Sequence, residues 1–140
     1  MVQKEAARRL CARPGTRGCG AVTVAVWYYS RPEILFPVSR GSFLPAPQVD
    51  SAVIRLRVLG TPAVAVREER IFFQVVRGAF SQRRKTLLNT LSSSLGLEKE
   101  AARELLEGAG IPPGARAEAL TLEQFAAIAD RLDQSPEKKP

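Results

Sequence analysis

Apolar residues recur at helical spacing throughout the second half of the chain. Each apolar stripe is backed by a polar face, which is typical of helices that pack on a shared core. The spacing predicts four helices, over residues 68–80, 84–95 and 98–109 and from Leu122 onward. This half of the chain is therefore predicted to be a small all-α unit.

Local signals mark the ends of two of these helices. Thr121 and Gln124 have the spacing of a capping box, in which each side chain bonds the backbone N–H of the other residue. Leu120 and Phe125 stand at the positions of a hydrophobic staple around that cap. Gly110 follows the third helix, where a residue of left-handed conformation often ends a helix.

The first half of the chain has shorter and more varied patterns. Apolar–polar alternation predicts a strand over 51–58 and a shorter strand over 33–38. A short helix over 3–12 is stopped by a Pro-Gly pair. The apolar stretch 21–29 allows two structures. Its β-branched and aromatic residues favour a strand, whereas its lack of polar alternation is compatible with a buried helix.

These elements predict two structural units and a connection. Two strands and a helix cannot form a self-sufficient sheet, so residues 1–59 are expected to be the closing edge of a larger α/β sheet, with apolar strand faces exposed. Residues 60–66 are predicted to be a linker, and residues 67–133 a helical domain that could fold separately. The polar residues 134–140 are expected to be a disordered tail.

Composition adds a prediction about partners and excludes some chemistry. The chain has 21 Lys and Arg against 14 Asp and Glu, a net charge of +7, which favours nucleic acid over a membrane as partner. A basic surface with no partner is the alternative. The absence of histidine excludes His-based triads and His metal ligands. Cys11 and Cys19 are too few for a zinc cluster, so we expect free thiols and no bound metal. The N-terminus and the longest apolar run lead us to expect a soluble cytoplasmic protein.

Four segments, in this order, resemble a known enzyme family. They are MVQKEAARRL at 1–10, FLPAPQVDSAVIRL at 43–56, AFSQRRKTLLNTL at 79–91 and, more weakly, the stretch 110–132. Together they resemble the C-terminal half of the ribosomal RNA adenine N6,N6-dimethyltransferases of the bacterial KsgA (RsmA) type. The resemblance implies the α/β edge of a Rossmann-like methyltransferase domain followed by a small all-α domain. It also implies a helix over 21–29.

The resemblance further implies an activity for the intact protein. The family is expected to transfer methyl groups from S-adenosyl-L-methionine to two adjacent adenines near the end of small-subunit (16S) rRNA, a step of ribosome biogenesis. The family's glycine-rich donor loop, its acidic ribose-binding residue and its Asn-Leu-Pro-Tyr catalytic loop all lie upstream of the first matching segment. We therefore expect a fragment with no catalytic and no cofactor-binding residue, which alone binds no S-adenosylmethionine.

Phe43 is the candidate contact for the substrate base. From the residues alone, a phenylalanine beside prolines most often packs its loop onto the core. The resemblance implies instead that Phe43 lines the pocket for the extruded adenine, since an unstacked base needs an aromatic face. Pro45 and Pro47 would hold that ring in place at little entropic cost.

A basic run is the candidate contact for RNA. If Ser81 were an N-cap, the cations that follow would oppose the helix dipole, which indicates charge kept for a partner. The alternative is an ordinary solvated face. The resemblance implies an edge that docks on small-subunit rRNA, or on the 30S subunit, through phosphate contacts. The predicted RNA-binding residues are Gln82, Arg83, Arg84 and Lys85, extended by Arg77, Lys4, Arg55 and Arg57.

Other polar residues have structural explanations. Lys4 beside Glu5 could equally be a solvated pair at a helix start, and Asp50 is expected to cap a turn. Arg116 and Glu118 are expected to form an internal ion pair or to tie a loop. Two functions without catalysis remain as alternatives: an RNA- or ribosome-binding module, and a protein-interaction fragment.

Overall fold

The computed structural model describes residues 1–42, 49–82 and 84–134. In these ranges a three-stranded antiparallel sheet lies beside six α-helices. The order along the chain is a short strand, two helices, two strands and then four helices. This agrees with the predicted order of an α/β part followed by a helical part. None of the helices in the described ranges is long and apolar enough to cross a membrane.

The sheet has its longest strands in the middle and at one edge. Its strands are β1 (Val2–Gln3), β2 (Ser30–Val38) and β3 (Ser51–Val58), in the spatial order β1-β3-β2. β3 pairs along its whole length with β2, but only its first two residues pair with β1. The predicted bounds of β3 are confirmed. β2 begins earlier than predicted, because its first residues continue the ladder opposite the end of β3.

Large apolar side chains are exposed on these strands, as predicted for a sheet edge. Their exposed fractions lie between 45% and 79% for five residues, namely Ile34, Leu35, Phe36, Leu56 and Val58. The ladder also has a bulge between Ile34 and Phe36, which leaves Leu35 unpaired. An apolar surface of this kind marks a site that another chain or segment can cover.

Two helices connect β1 to β2. They are α1 (Lys4–Cys11) and α2 (Ala21–Tyr29), so the ambiguous stretch is a helix, as the family resemblance implied. Val24 and Tyr28 lie one helical turn apart on α2, and both are buried in the core of the helical part. This packing overrides the strand propensity of the sequence, because burial of one helical face outweighs local preference.

The second half of the chain contains the four predicted helices. Their bounds are α3 (Glu69–Ala79), α4 (Leu87–Leu95), α5 (Lys99–Gly108) and α6 (Leu122–Gln134). The predicted end of α5 is confirmed, because Gly110 has a φ of 78°. There the Ile111 N–H donates to the Leu106 carbonyl at 2.9 Å, which closes a Schellman motif.

α4 begins at Leu87, three residues after its predicted start. Its N-cap is Thr86. Ser81 was predicted as the N-cap, but its hydroxyl donates to the carbonyl of Gly78 at 2.6 Å and so closes the end of α3. The predicted role of Ser81 is therefore wrong.

A contact from distant sequence sets the start of α4. The Leu87 N–H donates to the Ala115 carbonyl at 2.8 Å, so a donor of the first turn is satisfied by the loop that precedes α6. Arg84 and Lys85 lie in the turn before the helix. The prediction that these two cations occupy the first helical turn and oppose its dipole is therefore wrong.

One continuous core joins α2 to the four later helices. Its fully buried side chains include Tyr28, Phe72 and Phe125. The segment predicted as a linker packs against this core, and the N–H of Ala63 donates to the Tyr28 carbonyl at 2.9 Å. The predicted domain boundaries at 1–59 and 67–133 stay a prediction, with a packed connection between them. The tail residues 135–140 lie outside the described residues.

The start of α6 supports a first stability prediction. The Thr121 N–H donates to the Gln124 Oε1 at 2.9 Å, and the Gln124 N–H donates to the Thr121 Oγ1 at 3.3 Å, which confirms the capping box. We expect Thr121→Ala to lower the free energy of unfolding by about 1 kcal/mol, because a helix donor loses its acceptor. Urea denaturation would measure the loss. Thr61→Ala, in an exposed turn, is the matched control, and an equal loss in both variants would contradict the prediction.

Candidate nucleic-acid interface

A basic cleft of about 590 Å³ lies where three connections of the chain meet. One wall is the loop between α1 and α2, the second is the turn between α3 and α4, and the third is the short 3₁₀ turn that precedes α6. Five cationic side chains line it, namely Arg9, Arg17, Arg84, Lys85 and Arg116. Its remaining polar side chains are Gln82 and Glu118, together with the thiol of Cys19.

Arg17 reaches the cleft from the loop between α1 and α2, and Arg9 reaches it from α1 itself. Gly20 lies beside the Arg9 side chain, where a Cβ would be 3.4 Å from the Arg9 Nη1. Gly15, with a φ of 94°, turns the loop back toward the helical part, where a Cβ would lie 3.6 Å from Thr121 Cγ2. The loop therefore reaches the second predicted domain and brings Arg17 into the space between the two.

The opposite walls are held by backbone hydrogen bonds. The Lys85 N–H donates to the Gln82 carbonyl at 3.4 Å, which closes the turn that carries Arg84. Arg116 follows the residue that binds the start of α4, and its own carbonyl accepts from the Ala119 N–H at 3.0 Å. Two local turns therefore set the backbone of these walls, and the Leu87–Ala115 hydrogen bond holds the two walls together.

The predicted ion pair between Arg116 and Glu118 is wrong. The ion pairs found among the described residues are Arg8–Glu5, Arg55–Glu33 and Arg67–Asp133. Arg116 has extended backbone before the 3₁₀ turn, whereas Glu118 lies within the turn, and both side chains line the cleft separately. Each charge is therefore available to a ligand.

The charge of the cleft fits a polyanion. Among the described residues, five cations and one carboxylate line this concave surface, which concentrates positive potential. Arginine side chains can also bind phosphate oxygens through two parallel hydrogen bonds. The arrangement can bind several phosphate groups along a nucleic-acid backbone.

Cys19 lies in the cleft as a protonated thiol. Cys11 and Cys19 are both free, as predicted. Burial is the main cause that raises the pKa of Cys19 to about 11, and the nearby Glu118 carboxylate adds to it. Because the thiolate is the reactive form, this thiol is not a nucleophile at neutral pH.

The two raised pKa values of the core predict a loss of stability in alkali. Burial, followed by a hydrogen bond to Glu69, raises the pKa of Tyr28 to about 12 from 10, and the pKa of Cys19 rises to about 11 from 9. The unfolded chain releases these protons at a lower pH than the folded chain. The free energy of unfolding should therefore fall between pH 9 and 12.

Urea midpoints measured in steps across that pH range would test this. In Tyr28→Phe the fall above pH 10 should be smaller, because only the contributions of Cys19, up to about pH 11, and of Tyr29, whose pKa is also raised, remain. If the free energy of unfolding of Tyr28→Phe fell with pH above 10 as steeply as that of the unchanged chain, the role given to Tyr28 would be contradicted.

The described residues do not fit S-adenosylmethionine. The donor carries a positive sulfonium, and its ribose hydroxyls are held by an acidic side chain in related nucleotide sites. The cleft has one acid among five cations, and every strand pair of the described sheet is antiparallel. In the described part of the chain, no group of three or more His, Cys, Asp or Glu side chains could hold a metal ion.

Residues 1–134 match the model of a protein family described as ribosomal RNA adenine dimethylase. The chain belongs to this family. It is 56% identical over 131 residues to ribosomal RNA small subunit methyltransferase A of Pelotomaculum thermopropionicum, an alignment that covers 93% of this chain and 44% of the relative. The protein of the same name from Alkaliphilus oremlandii is 49% identical, in an alignment that covers 94% of this chain and 46% of that relative. The chain thus spans less than half the length of these relatives.

Two solved structures have a similar fold. A dimethyladenosine transferase from Plasmodium falciparum superposes with a TM-score of 0.78 at 21% identity, over 94% of this chain and 55% of that chain. The 23S rRNA methyltransferase ErmE superposes with a TM-score of 0.62 at 27% identity, over 94% of this chain and 52% of that chain. These likenesses support the assignment of the described sheet and helices to part of a Rossmann-like methyltransferase fold.

The RNA-binding residues predicted from the sequence fall into two groups. Gln82, Arg84 and Lys85 lie together in the cleft. The other described residues of the set lie elsewhere on the surface. Arg77 is exposed near the end of α3, Lys4 begins α1, and Arg55 and Arg57 share a face of β3. Phe43, Pro45, Pro47 and Arg83 lie outside the described residues.

The surroundings of the outlying cations differ. Arg55 forms an ion pair with Glu33 on the neighbouring strand, so its charge is already partly neutralised. Arg57 lies opposite Arg31, which brings two cations together. Asp50 accepts from the Arg40 N–H at 2.9 Å and caps the turn after β2, as predicted.

Sequence patterns did not identify Arg9, Arg17 or a cleft role for Arg116. These residues belong to three separate segments, so no spacing rule joins them. The available signal was the glycine-rich loop around Arg17, since such loops allow a backbone to approach other segments closely.

Proposed function

We propose that this chain is the RNA-docking part of a small-subunit rRNA adenine N6,N6-dimethyltransferase. The observation that carries the proposal is the convergence of five cations from separate segments on one cleft. Membership of the ribosomal RNA adenine dimethylase family supports RNA as the polyanion. The name shared by the relatives, small subunit methyltransferase, supports 16S rRNA or the 30S subunit as the partner.

Methyl transfer belongs, in this proposal, to a longer protein of which this sequence is about half. The relatives are more than twice as long as the segment that they share with it. S-adenosylmethionine would supply the methyl groups there, held by residues of the other part. Phe43 is proposed as an aromatic surface against which the target adenine rests, with Pro45 and Pro47 proposed to hold its ring in place.

The cleft would bind the RNA backbone between its walls. Arg9 and Arg17 would contact phosphates from one side, and Arg84, Lys85 and Arg116 from the other. Each contact releases a condensed counterion, so binding should weaken steeply as salt rises. Such contacts position an RNA without reading its sequence.

The cations outside the cleft are proposed as secondary contacts. Arg57 should contribute more than Arg55, because Arg55 is already paired with Glu33. Lys4 and Arg77 would extend the basic surface beyond the cleft.

Equilibrium binding to a labelled 3′ segment of small-subunit rRNA tests the proposal. The logarithm of the association constant should fall linearly with the logarithm of the salt concentration. Its slope should be about 0.7 per phosphate contacted for a single strand, hence about 3 to 4 for a cleft with five cations. A slope near zero, or no binding at low salt, would contradict the proposal.

A protein-interaction surface is the second candidate function. The exposed apolar side chains of β2 and β3 favour it, because water-exposed apolar surface on a strand tends to be covered. We expect the chain to self-associate as its concentration rises in analytical sedimentation. A monomer at all concentrations would contradict this candidate and leave the RNA proposal intact.

A further inference from the structure

Among the described side chains that line the basic cleft, Glu118 is the one carboxylate. It lies in the 3₁₀ turn Ala117–Ala119, between α5 and α6. Its side chain is partly exposed, and its negative charge helps to raise the pKa of the buried Cys19 thiol, which also lines the cleft. The carboxylate therefore lies inside the cleft, where an RNA strand would pass.

A carboxylate at this place weakens phosphate binding unless it has a separate task. Its negative charge repels phosphates. Glu118 also does not neutralise a neighbouring cation, since no ion pair among the described residues includes it. A residue that breaks the local charge pattern of a binding surface often has a functional reason. The groups on RNA that a carboxylate can bind are hydrogen-bond donors.

The nucleobases differ in the donors that they offer. Guanine carries an N1–H and an N2 amino group side by side on its Watson–Crick edge, which match the two oxygens of a carboxylate. Adenine, cytosine and uracil each offer one donor group on that edge. Unpaired bases in single-stranded RNA are read on this edge by proteins.

We propose that Glu118 accepts two hydrogen bonds from an unpaired guanine, while the surrounding cations hold the neighbouring phosphates. This inference rests on the proposed RNA-docking function and adds selectivity to it. The cations would give affinity for any RNA strand, and Glu118 would set the position of the strand in the cleft. Charge-assisted pairs of this kind are both strong and directional.

Short single-stranded RNA oligomers with one guanine, or with inosine in its place, test the proposal. Inosine keeps N1–H but lacks the N2 amino group. The chain should bind the guanine oligomer at least about fivefold more tightly, since a good bidentate contact discriminates by about 1–3 kcal/mol. In Glu118→Gln this preference should disappear, because the amide replaces one acceptor oxygen with a donor. Glu104→Gln, an exposed residue of α5 with the same change of charge, should keep the preference.

Three outcomes would overturn the proposal. An unchanged guanine preference in Glu118→Gln would show that another group reads the base. A uniform rise in affinity for all oligomers, with no preference in the unchanged chain, would make Glu118 a purely repulsive charge. If Glu118→Gln changed only the preference for RNA over DNA of the same sequence, the contact of Glu118 would be with the 2′-hydroxyl and not with the base.

The test also separates this inference from the docking function. If docking fails, neither oligomer binds in a salt-dependent way, and removal of the Arg84 and Lys85 charges has no effect. If only the inference fails, binding and its salt dependence remain. Thermal unfolding of each variant would verify that Glu118→Gln keeps the fold.

Discussion

Replacing both Arg84 and Lys85 with alanine should lower the affinity for small-subunit rRNA by about tenfold per charge at low salt. The physical reason is that a hydrogen bond to a charged group contributes about 1.5–3 kcal/mol when it is made in the complex. The slope of log affinity against log salt should also fall by about 0.7 for each phosphate that the variant no longer binds. Both residues lie in a turn and not in the helix that follows, so the fold should tolerate the change.

A charge-matched control separates docking from net charge. Lys99→Ala with Arg103→Ala removes the same two positive charges from α5, whose residues do not line the cleft. This control should change affinity little and leave the slope nearly unchanged. Equal reductions of affinity in both double variants would contradict a docking role for the cleft and favour a diffuse attraction to the basic chain.

Phe125→Ala should be the most destabilising single change among those considered. The side chain of Phe125 is fully buried, contacts Phe80 at a centroid distance of 5.8 Å and lies in the core shared by α2 and the later helices. Its truncation removes apolar burial and leaves a cavity, which costs about 3–5 kcal/mol. Because domains of this size are stable by about 5–15 kcal/mol, this change should remove a large part of the stability of the fold.

Phe36→Ala provides a control of the same residue type. Phe36 is 52% exposed on β2, so its truncation should change the free energy of unfolding by no more than about 0.5 kcal/mol. Urea denaturation of the two variants under identical conditions would give the comparison. A similar loss of stability for both would contradict the assignment of the core to the helical part.

Elements with local signals were predictable from the sequence. The capping box at Thr121 and the Schellman glycine at Gly110 were identified correctly, because both motifs involve residues within a few positions of each other. β3 was also predicted with its observed bounds, since its alternation is uninterrupted.

Features that depend on distant segments were not predictable in the same way. The start of α4 was misplaced because its first N–H bonds Ala115, nearly thirty positions away in the chain. The helix α2 was ambiguous because its packing in the core, where Tyr28 contacts Phe72, decides its conformation. The cleft was only half identified, since Arg9 reaches it from α1 and Arg17 reaches it from a loop that lies against the start of α6.

RNA binding and methyl transfer can be measured in the same sample. Unmethylated small ribosomal subunits would be incubated with the 140-residue chain and radiolabelled S-adenosylmethionine. The full-length methyltransferase A of Pelotomaculum thermopropionicum would be the positive control. We predict that the chain binds the subunits and transfers no methyl group. Methyl incorporation by the chain would contradict the assignment of the donor site to another part of the protein, and a lack of binding would contradict the docking role of the cleft.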